Sequence, residues 1–409
     1  MSAAVLCTGT ELTRGELVNT NATWLAEQLT TLGFEIGVIE TVGDDRNRIA
    51  AALVRLGREH DVIVCTGGLG PTTDDLTTEV AASVLGVPLV RDEPSLEKIR
   101  ARFRRSGRTM TASNEKQADF PRGAAILPNE NGTAPGFSVT LGRAVAAFLP
   151  GVPSEMKAMF AASVVPRLAG FTRPEAHQIR LRTYGLPESA VNDRLRGIEA
   201  THGVTIGYRA RIPEIEVKVF ASGEQAEGRV VAATADVRAA LGDAIYAHGD
   251  TTFPATLLAE LGVRKATLAL AESCTGGLVA ELLTDVPGSS RVFLGGVVAY
   301  SNASKSALLG VDAALLDAHG AVSEPVARAM AEGARARFGS TFAASVTGVA
   351  GPDGGTADKP VGLVHFAVAS GRGTSAKAVN FGGNRSDVRK RSAFAVLALL
   401  RRALSEELP

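Results

Sequence analysis

Four side chains in the last third of the chain, Ser273, Tyr300, Lys305 and Thr347, have the types and surroundings that could break an acyl bond. Ser273 lies in the stretch LALAESCTGGL, residues 268–278. An apolar run long enough for a buried strand breaks there at Glu272, Ser273 and Cys274, and Gly276 and Gly277 open a helix expected to run through Leu283. The hydroxyl is thus expected at a strand-to-helix turn on the carboxyl edge of a sheet, beside helix amides able to stabilise negative charge. A serine hydroxyl is a weak nucleophile until a base takes its proton. Of six histidines only His365 falls near these loops, and it sits inside a strand pattern, so a Ser-His-Asp triad is poorly supported. Lys305 stands one turn into the helix that follows the strand ending in Tyr300, Ser301 and Asn302. It can act as base if burial makes its neutral form accessible, with Tyr300 relaying the proton or positioning the amine. Thr347, Gly348 and the glycines after it could hold the developing oxyanion. Cys274 is the competing nucleophile, but it has no evident histidine partner. Taken singly, these residues also have structural readings: Ser273 at a helix start, Lys305 as a surface charge, Tyr300 half in the core.

Near the carboxyl end, NFGGNRSDVRKR places Arg385 and Arg389 one turn apart with Arg391 close by, and Ser386 reads as the N-cap of a long helix. Arginines at a helix start oppose the helix dipole, so a bound phosphate would give them a reason. A second polar set lies at the amino end. The stretches Thr8 to Glu11, Gly43 to Asp45 and Gly67 to Asp75 each follow an expected strand and could share one pocket. Gly67, Gly68 and Gly70 would allow a phosphate or pterin close to the backbone, while Glu11, Asp44, Asp74 and Asp75 could hold a hard divalent cation. Glu155 could reach the same pocket. The structural alternative is that these glycines make turns and the aspartates cap helices. The arginine-rich run at 100–108 reads first as a solvated helix face and second as a phosphate contact.

The elements that must position these groups follow from periodicity. At 409 residues, two or three domains are expected. Strands and helices alternate through residues 1–170, predicting a parallel sheet with helices on both faces. A linker is expected near Gly170 to Pro174. Residues 175–250 read as a small α+β unit, with strands at HQIRLRTYG, TIGYRA and EIEVKVFA, one helix across PESAVNDRLRGIEATHG and another from Glu224 to Leu241. AHGDTTFPA reads as a second linker, and residues 254–409 carry four further strands with helices between them. The fold class expected overall is multidomain α/β.

Lys plus Arg equal Asp plus Glu at 43 each, so global charge argues for neither nucleic acid nor an anionic membrane as partner. No apolar run approaches a membrane span, the start shows no targeting pattern, and three widely spaced cysteines fit a reducing compartment, so a cytoplasmic protein is expected.

Several motifs carry a resemblance. GGLGPTTDDLT at 67–77 resembles the glycine-rich, acidic signature of the molybdopterin-binding MogA and MoaB proteins, with Asp75 and Thr77 matching and Asp74 standing where that family usually has arginine. AESCTGG, GGVVAYSN with Lys305, SVTGVAGPDGG and GGNRSDVR resemble the nicotinamide-nucleotide amidase domain of the PncC type. With GTELTRGELVNTNA and LPGVPSEM, the whole arrangement resembles the competence/damage-inducible protein A (CinA) family. The resemblance implies a MogA/MoaB-like first domain and a carboxyl-terminal amidase that hydrolyses nicotinamide mononucleotide (NMN) to nicotinic acid mononucleotide and ammonia, in pyridine-nucleotide salvage, without a cofactor. It assigns Ser273 as nucleophile, Lys305 as base, Tyr300 in support and Thr347 with Gly348 to the oxyanion or substrate. Gly276, Gly277, Arg385, Arg389 and Arg391 become substrate contacts. For the first domain it implies an ADP-ribose pyrophosphatase using Mg2+ or Co2+ on Asp44 and Asp75, with K+ as a further expected ion, and for the whole chain a homodimer. The alternative is a pterin-binding or competence-linked scaffold.

Overall fold

The computed structural model describes residues 1–171 and 175–406. Of the linker expected at Gly170 to Pro174, residues 172–174 lie outside the described residues. The chain divides into two compact units, Met1–His177 with Ala221–Glu227, and Gln178–Phe220 with Gly228–Pro409.

In the first unit the strands are β1 (Ser2–Thr8), β2 (Glu35–Val42), β3 (Val62–Thr66), a short ribbon of β4 (Leu89–Arg91) and β5 (Asp119–Pro121), then β6 (Ala125–Leu127), β7 (Gly136–Leu141) and β8 (Ala144–Leu149). The main sheet runs β2-β1-β3-β8-β7-β6. β2, β1, β3 and β8 form the parallel sheet expected, and β7 and β6 extend it antiparallel at one edge. Two residues, Gly142 and Arg143, separate β7 from β8, and so short a connection permits only a hairpin. Successive side chains on β1 point to opposite faces. Ala3, Val5 and Cys7 pack on one side with Leu25, Leu29 and Met156, while Ala4 and Leu6 pack on the other with Ile49, Leu53 and Val80. The arginine-rich run lies largely on the exposed helix Glu93–Arg105, where Arg100 and Arg104 pair with Glu97 and Arg102 donates to the Glu130 and Asn131 carbonyls.

The smaller sheet of the chain is ordered β10-β11-β9-β12, from β9 (Ala176–Tyr184), β10 (Thr205–Arg211), β11 (Glu214–Ser222) and β12 (Ile245–His248). The stretch read as a linker therefore begins inside a strand. The single helix expected across residues 187–203 is two, Glu188–Arg194 and Ile198–His202. Gly197 between them is left-handed at φ 91°, which a continuous helix cannot contain.

The large sheet of the second unit is ordered β14-β13-β15-β16-β17, from β13 (Leu268–Glu272), β14 (Phe293–Val298), β15 (Phe342–Gly348), β16 (Leu363–Ser370) and β17 (Gly373–Asn380). β13 lies between β14 and β15, all parallel, and β16 and β17 continue antiparallel. β17 was not foreseen, because at the edge of the sheet its residues are mostly exposed and carry little apolar signal. Helices Phe253–Val263, Leu278–Thr284 and Arg385–Glu406 cover Leu268, Leu270, Phe342 and Phe366 on one face. Helices Asn302–Leu309 and Glu324–Phe338 cover Ala269, Ala271 and Ala343 on the other. Among the described residues no helix is long and apolar enough to cross a membrane.

Candidate active site

β13 delivers its last residues to the carboxyl edge between two parallel neighbours. Ser273 N–H donates to the Val346 carbonyl at 2.9 Å, so the strand ladder holds the serine backbone in place. The chain then turns through Gly276 and Gly277, left-handed at φ 60° and 94°, a pair of conformations that only glycine adopts without strain. The helix begins at Leu278.

Glu272, 2 % exposed, accepts from the amides of Gly277 at 3.0 Å and Val279 at 3.1 Å through one carboxylate oxygen, and from Ala280 at 2.9 Å through the other. The amides expected to receive substrate charge are therefore already taken by the protein's own carboxylate. Gly276 N–H donates to Ser273 O and Leu278 N–H to Thr275 O.

Lys305 arrives from the neighbouring strand. Ala299 N–H donates to the Glu272 carbonyl, and Ser301 Oγ accepts from Ser304 N–H at 3.1 Å to start the helix Asn302–Leu309. Lys305, in the first turn, is 1 % exposed, which removes its reading as a surface charge. Its Nζ lies 3.1 Å from Ser273 Oγ and 2.9 Å from the Ala299 carbonyl oxygen. Among the described residues no carboxylate pairs with it, and burial pushes its pKa below the ordinary lysine range. Burial pushes the Cys274 thiol the opposite way, up to about 12, so the competing nucleophile stays protonated.

The remaining candidates divide into those at the serine and those beyond it. Tyr300, 59 % exposed rather than half in the core, accepts from Arg385 Nη2 at 2.9 Å, and Arg385 Nη1 donates to the Gly351 carbonyl at 2.6 Å. Arg389 donates to the Thr275 carbonyl through Nε at 3.2 Å and Nη2 at 2.6 Å, so in this structure it clamps the serine turn. Arg391 lies two residues further along the same helix, half-buried and with no bonded partner among the described residues. The N-cap is Asn384, not Ser386: Asn384 Oδ1 accepts from Asp387 N–H and Asp387 Oδ2 from Asn384 N–H, each at 3.1 Å. Thr347 is buried and its hydroxyl donates to the Ala321 carbonyl at 2.8 Å, so that hydrogen is committed to the fold and not to an oxyanion. Gly348 closes β15 opposite Val364, and His365 faces Thr347 across the same pair of strands.

In the first unit Glu11, Asp44, Gly67, Gly68, Gly70, Asp74, Asp75 and Glu155 all line one cavity of about 370 Å³. A Cβ on Gly67 or Gly68 would collide with the Thr8 carbonyl or the Thr77 hydroxyl, so close packing of the loop requires both glycines. Three of the carboxylates already accept from protein donors. Asp44 accepts from Thr10 N–H at 2.8 Å, Asp75 from Thr72 N–H at 2.8 Å, and Glu155 from Asn129 Nδ2 at 2.7 Å. Among the described residues no group of three or more His, Cys, Asp or Glu side chains is arranged to hold a metal ion. The donor set fits a hard cation that keeps waters and shares one or two carboxylates with a substrate's phosphates, not a cage closed by protein alone.

Residues 250–404 match the family described as CinA C-terminal domain, residues 4–170 the one described as Probable molybdopterin binding domain, and residues 178–247 the one described as Damage-inducible protein CinA KH domain. A CinA-like protein of Anaeromyxobacter sp. (strain Fw109-5) is 48 % identical over 403 residues, covering 98 % of each chain. The chain belongs to the CinA family. A putative competence-damage inducible protein of Symbiobacterium thermophilum is 45 % identical over 99 % of both chains. The crystal structure of competence/damage inducible protein CihA from Agrobacterium tumefaciens is 39 % identical, covering 37 % of this chain and 93 % of that one, with a TM-score of 0.37.

For this CinA-family chain, sequence reasoning placed the serine turn and the lysine but assigned no role to the carboxylate of Glu272, which ties that turn to the helix start. An acidic residue closing an apolar strand just before a glycine pair and a helix was the available signal. It also missed Thr275, wholly buried beside Ser273, whose hydroxyl has no hydrogen-bond partner among the described residues.

Proposed function

We propose that the carboxyl-terminal part of this CinA-family chain is an amidase that hydrolyses the carboxamide of NMN to nicotinic acid mononucleotide and ammonia. The observation that carries the reading is the buried Lys305 amine 3.1 Å from Ser273 Oγ, with no carboxylate against it among the described residues. In its neutral form Lys305 accepts the Ser273 proton while Oγ bonds to the carboxamide carbon, and the carbonyl π pair moves to oxygen. Lys305 then returns the proton to the departing nitrogen, and ammonia leaves an acyl-serine. Water, deprotonated by the same amine, attacks that ester and frees the carboxylate and Ser273. Thr347 serves as a buried brace rather than a donor, and Gly276 and Gly277 shape the turn. Tyr300 and Arg385 form a polar rim, and the arginines at the start of the last helix, Arg385, Arg389 and Arg391, are the candidates for the substrate phosphate. The test is ammonia release from NMN by the full-length protein and by Ser273→Ala; equal rates in the two would remove Ser273 from the chemistry.

A second activity in the first unit, cleavage of the ADP-ribose diphosphate, is favoured by the acid-lined cavity and its glycine loop. Asp44 and Asp75 would hold Mg2+ or Co2+ there, and such an ion would supply charge neutralisation of the diphosphate and an activated water. K+ dependence belongs to the same proposal. If ADP-ribose is left intact with every metal tried, the cavity is better read as a pterin-binding or scaffold surface. The residues matched to the KH family contain no G-x-x-G, the loop with which such modules clamp a nucleic-acid backbone, so nucleic acid is not proposed as a partner. A cytoplasmic homodimer acting on small nucleotides remains the reading for the whole chain.

A further inference from the structure

The amides around Ser273 can be accounted for one at a time. From 273 to 280, Ser273 donates to Val346 O, Gly276 to Ser273 O and Leu278 to Thr275 O, while Gly277, Val279 and Ala280 donate to Glu272. The amides of Cys274 and Thr275 have no oxygen acceptor among the described residues. Glu272 is itself fixed from both sides, its carbonyl accepting from Ala299 N–H at 2.8 Å and its strand paired with β14 and β15. A buried carboxylate receiving three N–H bonds is a stiff tie. It connects the last residue of β13 to the start of the helix and thereby closes a loop containing Ser273, Cys274, Thr275 and the two left-handed glycines.

We infer that Glu272 is a positioning residue of this site: by binding the amides of Gly277, Val279 and Ala280 it sets the turn that carries Ser273 and leaves the Cys274 and Thr275 amides as the turn's donors to a developing oxyanion. The inference rests on the amidase reading for its catalytic part. Its geometry also separates the two buried ionisable groups of the site. The Glu272 side chain is spent on the helix start, on the apolar face with Leu268 and Leu270, while the hydrogen bonds of Lys305 among the described residues go to the serine hydroxyl and a carbonyl. Glu272 therefore acts on the reaction through position and not as a counter-charge to the base. The groups facing Lys305 are the Ser273 hydroxyl, the Ala299 carbonyl and the protonated Cys274 thiol.

The experiment uses full-length Glu272→Ala and Glu272→Gln. Ammonia release from NMN is followed across pH, and hydrogen exchange is read at the 277–280 segment alongside melting temperature. In Glu272→Ala kcat should fall about 100-fold, as expected for a displaced reacting group, with KM held within about threefold. Glu272→Gln, whose side-chain carbonyl still accepts, should recover part of the loss, and the acid limb of the kcat profile should stay where it is in the unaltered protein. Exchange at 277–280 should quicken in Glu272→Ala. Retained kcat, a loss carried wholly by KM, a Gln variant no better than Ala, a displaced acid limb or unchanged exchange would each overturn the inference. If the unaltered protein releases no ammonia from NMN, the amidase reading falls by itself, and the exchange measurement still decides whether Glu272 sets the turn.

Discussion

At Ser273 a buried amine meets a hydroxyl in a site closed by the protein's own carbonyls and amides, whereas the first unit presents carboxylates around a cavity of about 370 Å³ lined by loops. On the proposed amidase reading the first arrangement contains its own base, because desolvation lowers the cost of a neutral lysine. The second contains negative charge that a diphosphate would not tolerate without a cation between them. The same sheet-edge placement thus supports two chemistries, one complete in the side chains present and one requiring an added charge. Burial makes the difference: Lys305 is 1 % exposed, while the loops carrying Asp74 and Asp75 face solvent.

The sharpest way to break this contrast is Ser273→Ala, which should abolish ammonia release from NMN, by at least about 10⁴-fold, while ADP-ribose cleavage and melting temperature are unchanged. Parallel loss of both activities would mean that the two sites are not independent. Lys305→Met should cost about 10³-fold in kcat, and an excess of chelator should leave the unaltered amidase rate as it is. The same chelator should lower ADP-ribose cleavage about 100-fold, as should Asp75→Ala with metal present; cleavage that survives both would end the metal reading of the first unit. A subtler effect comes from pH. In the proposed mechanism the neutral amine is the active form, and burial pushes its pKa down, so kcat should rise with pH and level off before the ordinary lysine range is reached. A rate still climbing about tenfold per pH unit through that range would show an unperturbed amine. Smallest of all, Cys274→Ala should change kcat by less than about threefold and stability by about 1 kcal/mol, since a thiol raised to about 12 takes no part as thiolate.

Much of this was legible in single stretches of sequence. The strand ahead of Ser273, the glycine pair after it and the helix starting at Asn302 are local patterns, and they appear where periodicity and turn chemistry put them. The eight residues proposed for the amino-terminal pocket share one cavity for the same reason, since each follows a parallel strand or its connecting turn. Thr347 and Arg389 were harder. Both types suit a substrate, and only the positions of Ala321 and Thr275 reveal that each already holds a backbone carbonyl.

The amino-acid sequence by itself determined most of the segments that become strands, where a hydroxyl, an amine and a carboxylate stand along them, and that the glycines at 276 and 277 permit a left-handed turn. Strand order alone decided the rest. Placing β13 between β14 and β15 brings Lys305 to Ser273 across 32 residues and buries it, and folding the turn back aims Glu272 at the helix start. Hydrophobic periodicity is a property of neighbours in the chain, while the desolvation that favours a neutral lysine, free to accept a proton, depends on everything packed around it.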